Sequence, residues 1–297
     1  MKYLYSTLLV IFVFSQVLCA QRLDTLVNIG GYKMHFNIIK GKGTPILFEA
    51  GSGNDGSVWN DLLERIYKVT GTTLITYDRS GFGKSDLKPS KSEDSEFGIL
   101  NGIEELEIGL EIFGFSDEII LVSHSYGAFY NSLYAERHPD LVKSIVLIDS
   151  STNTFWNDEL LEMYHSKPVK KEDYPQNRGM YYLVKNYRET VKIMKTVEYS
   201  PKIPIINIYS ENPFSDVPEI YTNRWIKLHE EFAKIGPNVI NIVAHGSAHY
   251  IFRDNPSLVI NAIIKAYLPT VDETQQFDIL KKALDNSIEL STEVIKK

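Results

Sequence analysis

Cysteine is nearly absent from this chain of 297 residues, and the single one, Cys19, lies in an apolar N-terminal segment. Disulfides and cysteine metal sites both need more than one thiol. We therefore expect no disulfide, no bound metal and no thiol nucleophile. The sequence also lacks a phosphate loop of the Walker type and a dinucleotide fingerprint after the first strand. No cofactor is expected.

Basic residues are outnumbered by acidic ones, 31 against 38, which gives a formal net charge of -7. Proteins that bind nucleic acid neutralise its phosphates with clustered lysine and arginine. The charge balance therefore predicts no nucleic-acid partner.

The apolar run over residues 8–14 follows the positively charged Lys2 and precedes the small residue Ala20. This pattern is typical of a signal peptide, here residues 1–20, and the run is too short for a permanent membrane span. A lipid-modified cysteine usually follows a small residue, whereas Leu18 precedes Cys19. We expect a soluble protein that is exported to the periplasm or secreted, with lipoprotein processing as the alternative.

Short apolar runs bounded by glycine or polar residues follow one another from residue 22 onward. They predict strands over residues 26–29, 34–39, 45–49, 73–77, 118–122, 144–148, 203–208 and 239–243. Helical patterns lie between them, for example over residues 102–113 and 128–137. This alternation indicates an α/β fold with a mostly parallel, buried sheet.

The interval between the sixth and seventh predicted strands contains no convincing strand. Apolar residues recur there at helical spacing, namely Met180, Leu183, Val184, Tyr187, Val191 and Met194. We predict a helical cap over residues 150–202, placed over the ligand end of the sheet. The α/β core then comprises residues 21–149 and 203–270, and a C-terminal helix follows in 271–297.

The stretch over residues 121–127, LVSHSYG, joins a predicted strand to a predicted helix. A nucleophile elbow places its serine on such a turn, and the residues two before and two after must be small. Those positions are Ser123 and Gly127 around Ser125. Ser123 departs from the usual G-x-S-x-G pattern but is small enough. The sequence therefore predicts that Ser125 is a nucleophile.

The chain resembles the α/β-hydrolase superfamily over residues 30–268. The stretches that carry this resemblance are Ala50-Gly51-Ser52 with Trp59, YDRSGFGKS over 77–85, the elbow, and GSAHY over 246–250. The resemblance implies the α/β-hydrolase fold, a mostly parallel central sheet flanked by helices with a helical cap insertion. It also implies a structural role for Asp78 and Arg79.

In this superfamily an oxyanion hole is formed by two backbone N–H groups. One belongs to the residue after the nucleophile, here Tyr126. The other comes from the glycine-rich loop after the third strand, which points to Ser52. Relatives have His-Gly before this second residue, whereas this chain has Ala50-Gly51, a change that keeps the backbone donor.

The resemblance also implies a base after the last strand, where two of the seven histidines, His245 and His249, lie. The family pattern of two small residues, histidine and an aromatic residue favours His249. The acid follows either of two strands in relatives. Asp149 ends the earlier strand and Glu211 follows the later one, and we favour Asp149, with Glu211 as the alternative acid.

A Ser–His–Asp triad predicts cleavage of an ester-like bond through an acyl-enzyme, most simply by a carboxylesterase. A serine nucleophile argues against the dehalogenases and epoxide hydrolases of this fold, which attack with aspartate. The alternatives are an aminopeptidase or amidase, a carbon–carbon bond hydrolase, or a binding protein on a hydrolase scaffold. The apolar residues of the cap predict a small-molecule substrate with partly apolar groups.

Overall fold

The computed structural model of the protein describes residues 21–89, 94–215 and 217–286. Eight strands form one sheet in the order β1-β2-β4-β3-β5-β6-β7-β8. β1 and β2 pair antiparallel, as do β2 and β4, and every other neighbouring pair is parallel. The strands are β1 Arg22–Asn28, β2 Lys33–Ile39, β3 Ile46–Glu49, β4 Leu74–Tyr77, β5 Ile119–His124, β6 Val142–Ile148, β7 Ile205–Ser210 and β8 Val239–Ala244.

Ten α-helices lie in the described residues, and most of them pack on the two faces of the sheet. Their bounds are α1 Asn60–Thr70, α2 Ile99–Ile112, α3 Gly127–Arg137, α4 Asp158–Tyr164, α5 Arg178–Lys185, α6 Tyr187–Met194, α7 Glu219–Phe232, α8 Ile251–Asp254, α9 Pro256–Tyr267 and α10 Glu273–Asp285. One apolar cluster joins α2 and α3 to the sheet. A second cluster joins α1, α9 and α10 to the opposite face. The predicted α/β class and its mostly parallel sheet are confirmed.

No strand lies between β6 and β7, and this insertion carries α4, α5 and α6. It packs over the loops that follow β3 and β4. The Asn177 side-chain amide donates to the Gly53 carbonyl at 3.2 Å, and the Gly179 N–H donates to the Gly81 carbonyl at 3.1 Å. A Cβ on Gly81 would come within 2.8 Å of the Gly179 backbone, so glycine is needed for this close approach.

The helical stripe expected across the insertion is divided between α5 and α6 at Asn186. The Asn186 side-chain amide donates to the Tyr182 carbonyl at 2.9 Å and to the Asp94 carbonyl at 2.8 Å. Asparagine competes in this way for backbone groups that would continue a helix. The break therefore coincides with a side chain that donates both within α5 and to a distant segment, although the apolar residues of both helices still face inward.

Both ends of the sequence include predicted segments that lie outside the described residues. These are the signal peptide, residues 1–20, and the last part of the C-terminal helix, from residue 287 onward. α10 ends at Asp285. None of the helices in the described part of the chain is long and apolar enough to cross a membrane.

Candidate active site

Ser125 lies on the sharp turn between β5 and α3, with a backbone φ of 52°. Left-handed backbone is costly for a residue with a Cβ and persists only where surrounding structure fixes it. Gly127 allows the close packing that the turn needs, since a Cβ there would approach the Ala50 and Glu49 carbonyls to 2.6 and 2.8 Å. Ser123, the departure from the usual motif, is fully buried.

His249 lies in the loop after β8, and its ring faces Ser125. The His249 Nε2 atom is 3.0 Å from Ser125 Oγ. The loop is held by the Asp254 carboxylate, which accepts the Ala248 N–H at 2.8 Å, and by the His124 ring, whose Nε2 is 3.0 Å from the His249 carbonyl. The imidazole is 21% exposed, so it faces both the protein and the cleft.

Asp149 follows β6 and reaches the other nitrogen of the same imidazole. Its Oδ2 is 2.6 Å from His249 Nδ1, and its side chain is fully buried. Its Oδ1 accepts the Ser210 N–H at 3.0 Å and the Trp225 indole N–H at 2.9 Å. The backbone of Asp149 is also left-handed, with φ 41°.

Glu211 and His245, the alternatives to the favoured acid and base, pair with each other. Glu211 Oε1 is 2.8 Å from His245 Nδ1, and both side chains are well exposed. This hydrogen bond, with that from the Gly246 N–H, lowers the pKa of Glu211. The histidines are four residues apart, yet no group of metal-ligating side chains is assembled there or elsewhere in the described residues.

Arg79 holds the loop after β3 through hydrogen bonds to its backbone carbonyls. The guanidinium donates to the Gly51 carbonyl at 2.7 Å and to the Ala50 carbonyl at 3.3 Å. The C=O and N–H of a trans peptide point in opposite directions, and the structure has no cis peptide in the described residues. The Ser52 N–H is therefore directed away from Arg79. Tyr126 precedes α3, where backbone N–H groups lack intrahelical acceptors.

Gly51 packs against both residues at the start of the elbow. A Cβ on it would lie 2.7 Å from His124 Nδ1 and 3.3 Å from Ser125 Cβ. Burial lowers the pKa of His124 well below its usual range, which keeps this ring neutral. A neutral ring can donate from Nε2 to the His249 carbonyl. His124 therefore stabilises the loop that carries His249 and does not contact the Ser125 hydroxyl as a base would.

Glu49 and Arg79 form a buried ion pair beneath the same loop, with Nη1 3.2 Å from Oε1. Burial raises the pKa of Glu49 to about 7, although Arg79 and the Tyr77 hydroxyl favour its charged form. The Arg79 guanidinium also lies 5.5 Å from the centre of the Tyr126 ring. Arg79 therefore contacts both the loop that carries Ser52 and the side chain of Tyr126.

Apolar side chains pack close to His249 and to the two residues predicted to form the oxyanion hole. The Phe214 ring lies 5.7 Å from the His249 ring, and the Tyr187 ring of α6 lies 5.5 Å from that of Tyr126. From α5, Met180 Sδ is 3.6 Å from Ser52 Oγ. The insertion therefore contributes side chains next to the predicted oxyanion loop.

Comparison with known proteins agrees with this fold. The sequence profile of the α/β hydrolase fold family matches residues 44–178. A laboratory-evolved variant of a potato epoxide hydrolase superposes with a TM-score of 0.63 at 16% identity, covering 82% of this chain and 98% of that one. The chain has the α/β-hydrolase fold.

Two relatives match this chain in sequence, one over most of its length and the other over a shorter segment. The Bacillus subtilis (strain 168) protein YqjL, described as uncharacterized, is 26% identical over 247 residues, which is 81% of this chain and 90% of that protein. The (lyso)-N-acylphosphatidylethanolamine lipase of Bos taurus is 32% identical over 106 residues, but this match spans only 36% of this chain and 30% of the lipase.

Sequence reasoning brought Ser125, His249 and Asp149 forward, and the structure places all three within hydrogen-bonding distance in series. The sequence alone did not identify Trp225 or Ser210 as partners of Asp149. A backbone N–H carries no sequence signal. Nothing in the chain order shows that α7, which carries Trp225, approaches the end of β6.

Proposed function

We propose that the protein is a serine hydrolase that cleaves ester bonds, with Ser125 as nucleophile, His249 as general base and Asp149 as the acid. The observation that supports this most strongly is the continuous series of contacts from Ser125 Oγ to His249 Nε2 at 3.0 Å and from His249 Nδ1 to Asp149 Oδ2 at 2.6 Å. A weakly acidic hydroxyl becomes a nucleophile when such a base accepts its proton.

In the first half-reaction Ser125 Oγ attacks the ester carbonyl while its proton passes to His249 Nε2. Asp149 stabilises the resulting imidazolium through Nδ1. The Ser52 and Tyr126 N–H groups donate to the oxyanion of the tetrahedral intermediate. The imidazolium then gives its proton to the leaving alcohol oxygen, which leaves the acyl group bonded to Ser125.

In the second half-reaction water attacks the acyl-enzyme. His249 Nε2 accepts a proton from this water, and the same two N–H groups hold the second oxyanion. When the intermediate collapses, the carboxylic acid is released and the proton returns to Ser125 Oγ. No cofactor takes part in either half-reaction.

The insertion is proposed to act as a cap that contacts the apolar part of a small-molecule substrate. Met180 and Tyr187 of the insertion, with Phe214 after β7, carry apolar groups to within contact of Ser52, Tyr126 and His249. Apolar side chains with a few directed polar groups are typical of small-molecule sites. We therefore propose that the acyl or alcohol part of the substrate is partly apolar.

Turnover of nitrophenyl esters of increasing acyl length tests the proposed reaction. We expect measurable hydrolysis by the wild-type protein and a loss of about 10⁶-fold in kcat for Ser125→Ala, as in other serine hydrolases. Ser57→Ala, which changes an exposed serine in the segment after β3, serves as the control. No hydrolysis of any ester would favour a peptide or amide substrate or a binding protein.

We also propose that the protein is exported, with residues 1–20 removed as a signal peptide. N-terminal sequencing of the protein recovered outside the cytoplasm tests this, and the expected mature chain starts at Gln21. Recovery of the protein from the cytoplasm with Met1 still present would contradict the proposal.

A further inference from the structure

Asp149 is held by more than the histidine that it contacts. Its Oδ2 faces His249, whereas Oδ1 accepts the backbone N–H of Ser210 at 3.0 Å and the indole N–H of Trp225 at 2.9 Å. Ser210 ends β7, and Trp225 lies on α7 with 3% of its surface exposed. A buried carboxylate with three donors in different directions has a fixed orientation.

We propose that Trp225 is a positioning residue of the catalytic site, whose indole N–H orients Asp149 toward His249. This inference rests on the proposed function. The acid follows β6 here, so the next strand and its helix, β7 and α7, lie beside it and supply the two donors to Oδ1.

Burial alone does not account for this hydrogen bond. Trp59 is also buried, against Phe48 and Phe252, and its indole N–H has no partner among the described residues. An indole N–H can thus be enclosed in this core without reaching an acceptor. That of Trp225 instead meets the one carboxylate that contacts His249.

The packing around Trp225 holds the indole in this orientation. Phe155 and Phe214 pack edge-on against the ring at centroid distances of 4.9 and 5.1 Å. The His249 ring lies 5.9 Å away and the His229 ring 5.3 Å away. Trp225 therefore contacts both members of the Asp149–His249 pair, through its N–H and through its ring.

Two titratable groups face Asp149, namely His249 from the loop after β8 and His229 from α7. Burial lowers the pKa of His229 to about 4, so it is neutral near pH 7 and adds no charge. Loss of the Trp225 N–H would leave Asp149 Oδ1 with the Ser210 N–H as its donor, and the carboxylate would be held less firmly toward His249.

The decisive variant is Trp225→Phe, which keeps an aromatic ring and removes the donor, and Trp59→Phe is the matched control. For Trp225→Phe we expect kcat to fall about 10-fold with KM changed less than about 2-fold, because Asp149 loses a donor that fixes its orientation toward His249. Trp59→Phe should change neither.

An unchanged kcat in Trp225→Phe would overturn the inference, as would equal effects of the two variants. The rate of labelling of Ser125 by a fluorophosphonate separates this result from failure of the proposed function. A wild-type protein that is not labelled at any pH contradicts the function itself. A labelled wild-type protein whose Trp225→Phe variant behaves identically contradicts only the role of Trp225.

A second measurement needs no Trp225 variant and no turnover. The protein has three tryptophans, so Trp59→Phe and Trp156→Phe assign the three indole N–H signals in the proton NMR spectrum. We expect the Trp225 signal to lie downfield of the others, because its N–H donates to a carboxylate whereas those of Trp59 and Trp156 have no partner among the described residues. A Trp225 signal at the position of the other two would contradict the inference.

Discussion

Ser125 and Asp149 share an unusual backbone conformation at the residue scale. They are the two non-glycine residues with positive φ among those that the structure describes, at 52° and 41°. Each such residue costs on the order of 1–3 kcal/mol and persists only where surrounding contacts hold it. Both lie at the carboxyl ends of neighbouring strands, on either side of His249. The strain is thus concentrated where the proposed mechanism needs fixed geometry.

The acid can be tested by paired amide substitutions. Asp149→Asn should lower kcat about 10⁴-fold, because an amide favours the wrong histidine tautomer and cannot stabilise the imidazolium. Glu211→Gln should leave kcat within about 3-fold, since exposed charge changes away from the site have small effects. Steady-state ester hydrolysis provides both values. A larger loss for Glu211→Gln than for Asp149→Asn would contradict the assignment.

Some residues of the candidate site could be predicted from the sequence more readily than others, for a physical reason. Ser125 and His249 lie in local motifs, because an elbow needs small neighbours within two residues and the histidine loop has its own short pattern. The acid has no such motif. Two carboxylates, Asp149 and Glu211, end adjacent strands, and only the three-dimensional approach of the His249 ring distinguishes them.

At the scale of the elements, His35 joins β1 and β2 to the loop after β4. Its Nδ1 is 2.9 Å from Asp78 and its Nε2 is 2.8 Å from Asp24. Asp78 also accepts the N–H groups of Gly56 and Lys84 at 2.9 and 2.8 Å. These contacts connect the edge of the sheet to the loop that carries Arg79, and hence to the predicted oxyanion donors.

His35 should make stability depend on pH. The hydrogen bond to Asp78 and the contact with Asp24 raise the pKa of His35 despite its burial. A raised pKa means that this contribution is fully present below the unfolded-state value of about 6.5 and is lost as pH rises through the folded-state value. The melting temperature of the wild type should therefore exceed that of His35→Gln by more at pH 6 than at pH 9. A difference that grows with pH would contradict this assignment.

The strands were predictable because apolar runs bounded by polar residues report burial on both faces of a parallel sheet. Their observed bounds differ from the predicted ones by a few residues, mainly at the N-terminal ends. The break between α5 and α6 was not predicted. It depends on Asn186 meeting Asp94, a contact between segments distant in sequence.

At the scale of the whole molecule, the sheet separates two apolar clusters of buried side chains. The cluster that contains α3 includes Tyr126 and Tyr187 and so extends to the predicted site. The opposite cluster includes Ile279 and Ala283 of α10, packed with α1 and α9. Stability and activity can therefore be separated by substitutions on α10.

Ile279→Ala should destabilise the fold by about 2–4 kcal/mol, because it removes a buried branched side chain and leaves a cavity. Phe277→Ala on the same helix should change the free energy of unfolding by less than about 0.5 kcal/mol, since exposed positions contribute little. Phe277 is 69% exposed and Ile279 is 4% exposed. Urea denaturation measures both, and kcat/KM should be unchanged in each. Equal destabilisation would contradict the docking of α10.

The most direct test of the central claim is covalent labelling by a fluorophosphonate probe, followed by mass spectrometry of the labelled peptide. Serine hydrolases react with such probes because the base activates the nucleophile. We predict stoichiometric labelling at Ser125 in the wild type, none in Ser125→Ala, and much slower labelling in His249→Ala. Undiminished labelling of Ser125→Ala, or labelling at another serine, would contradict the account.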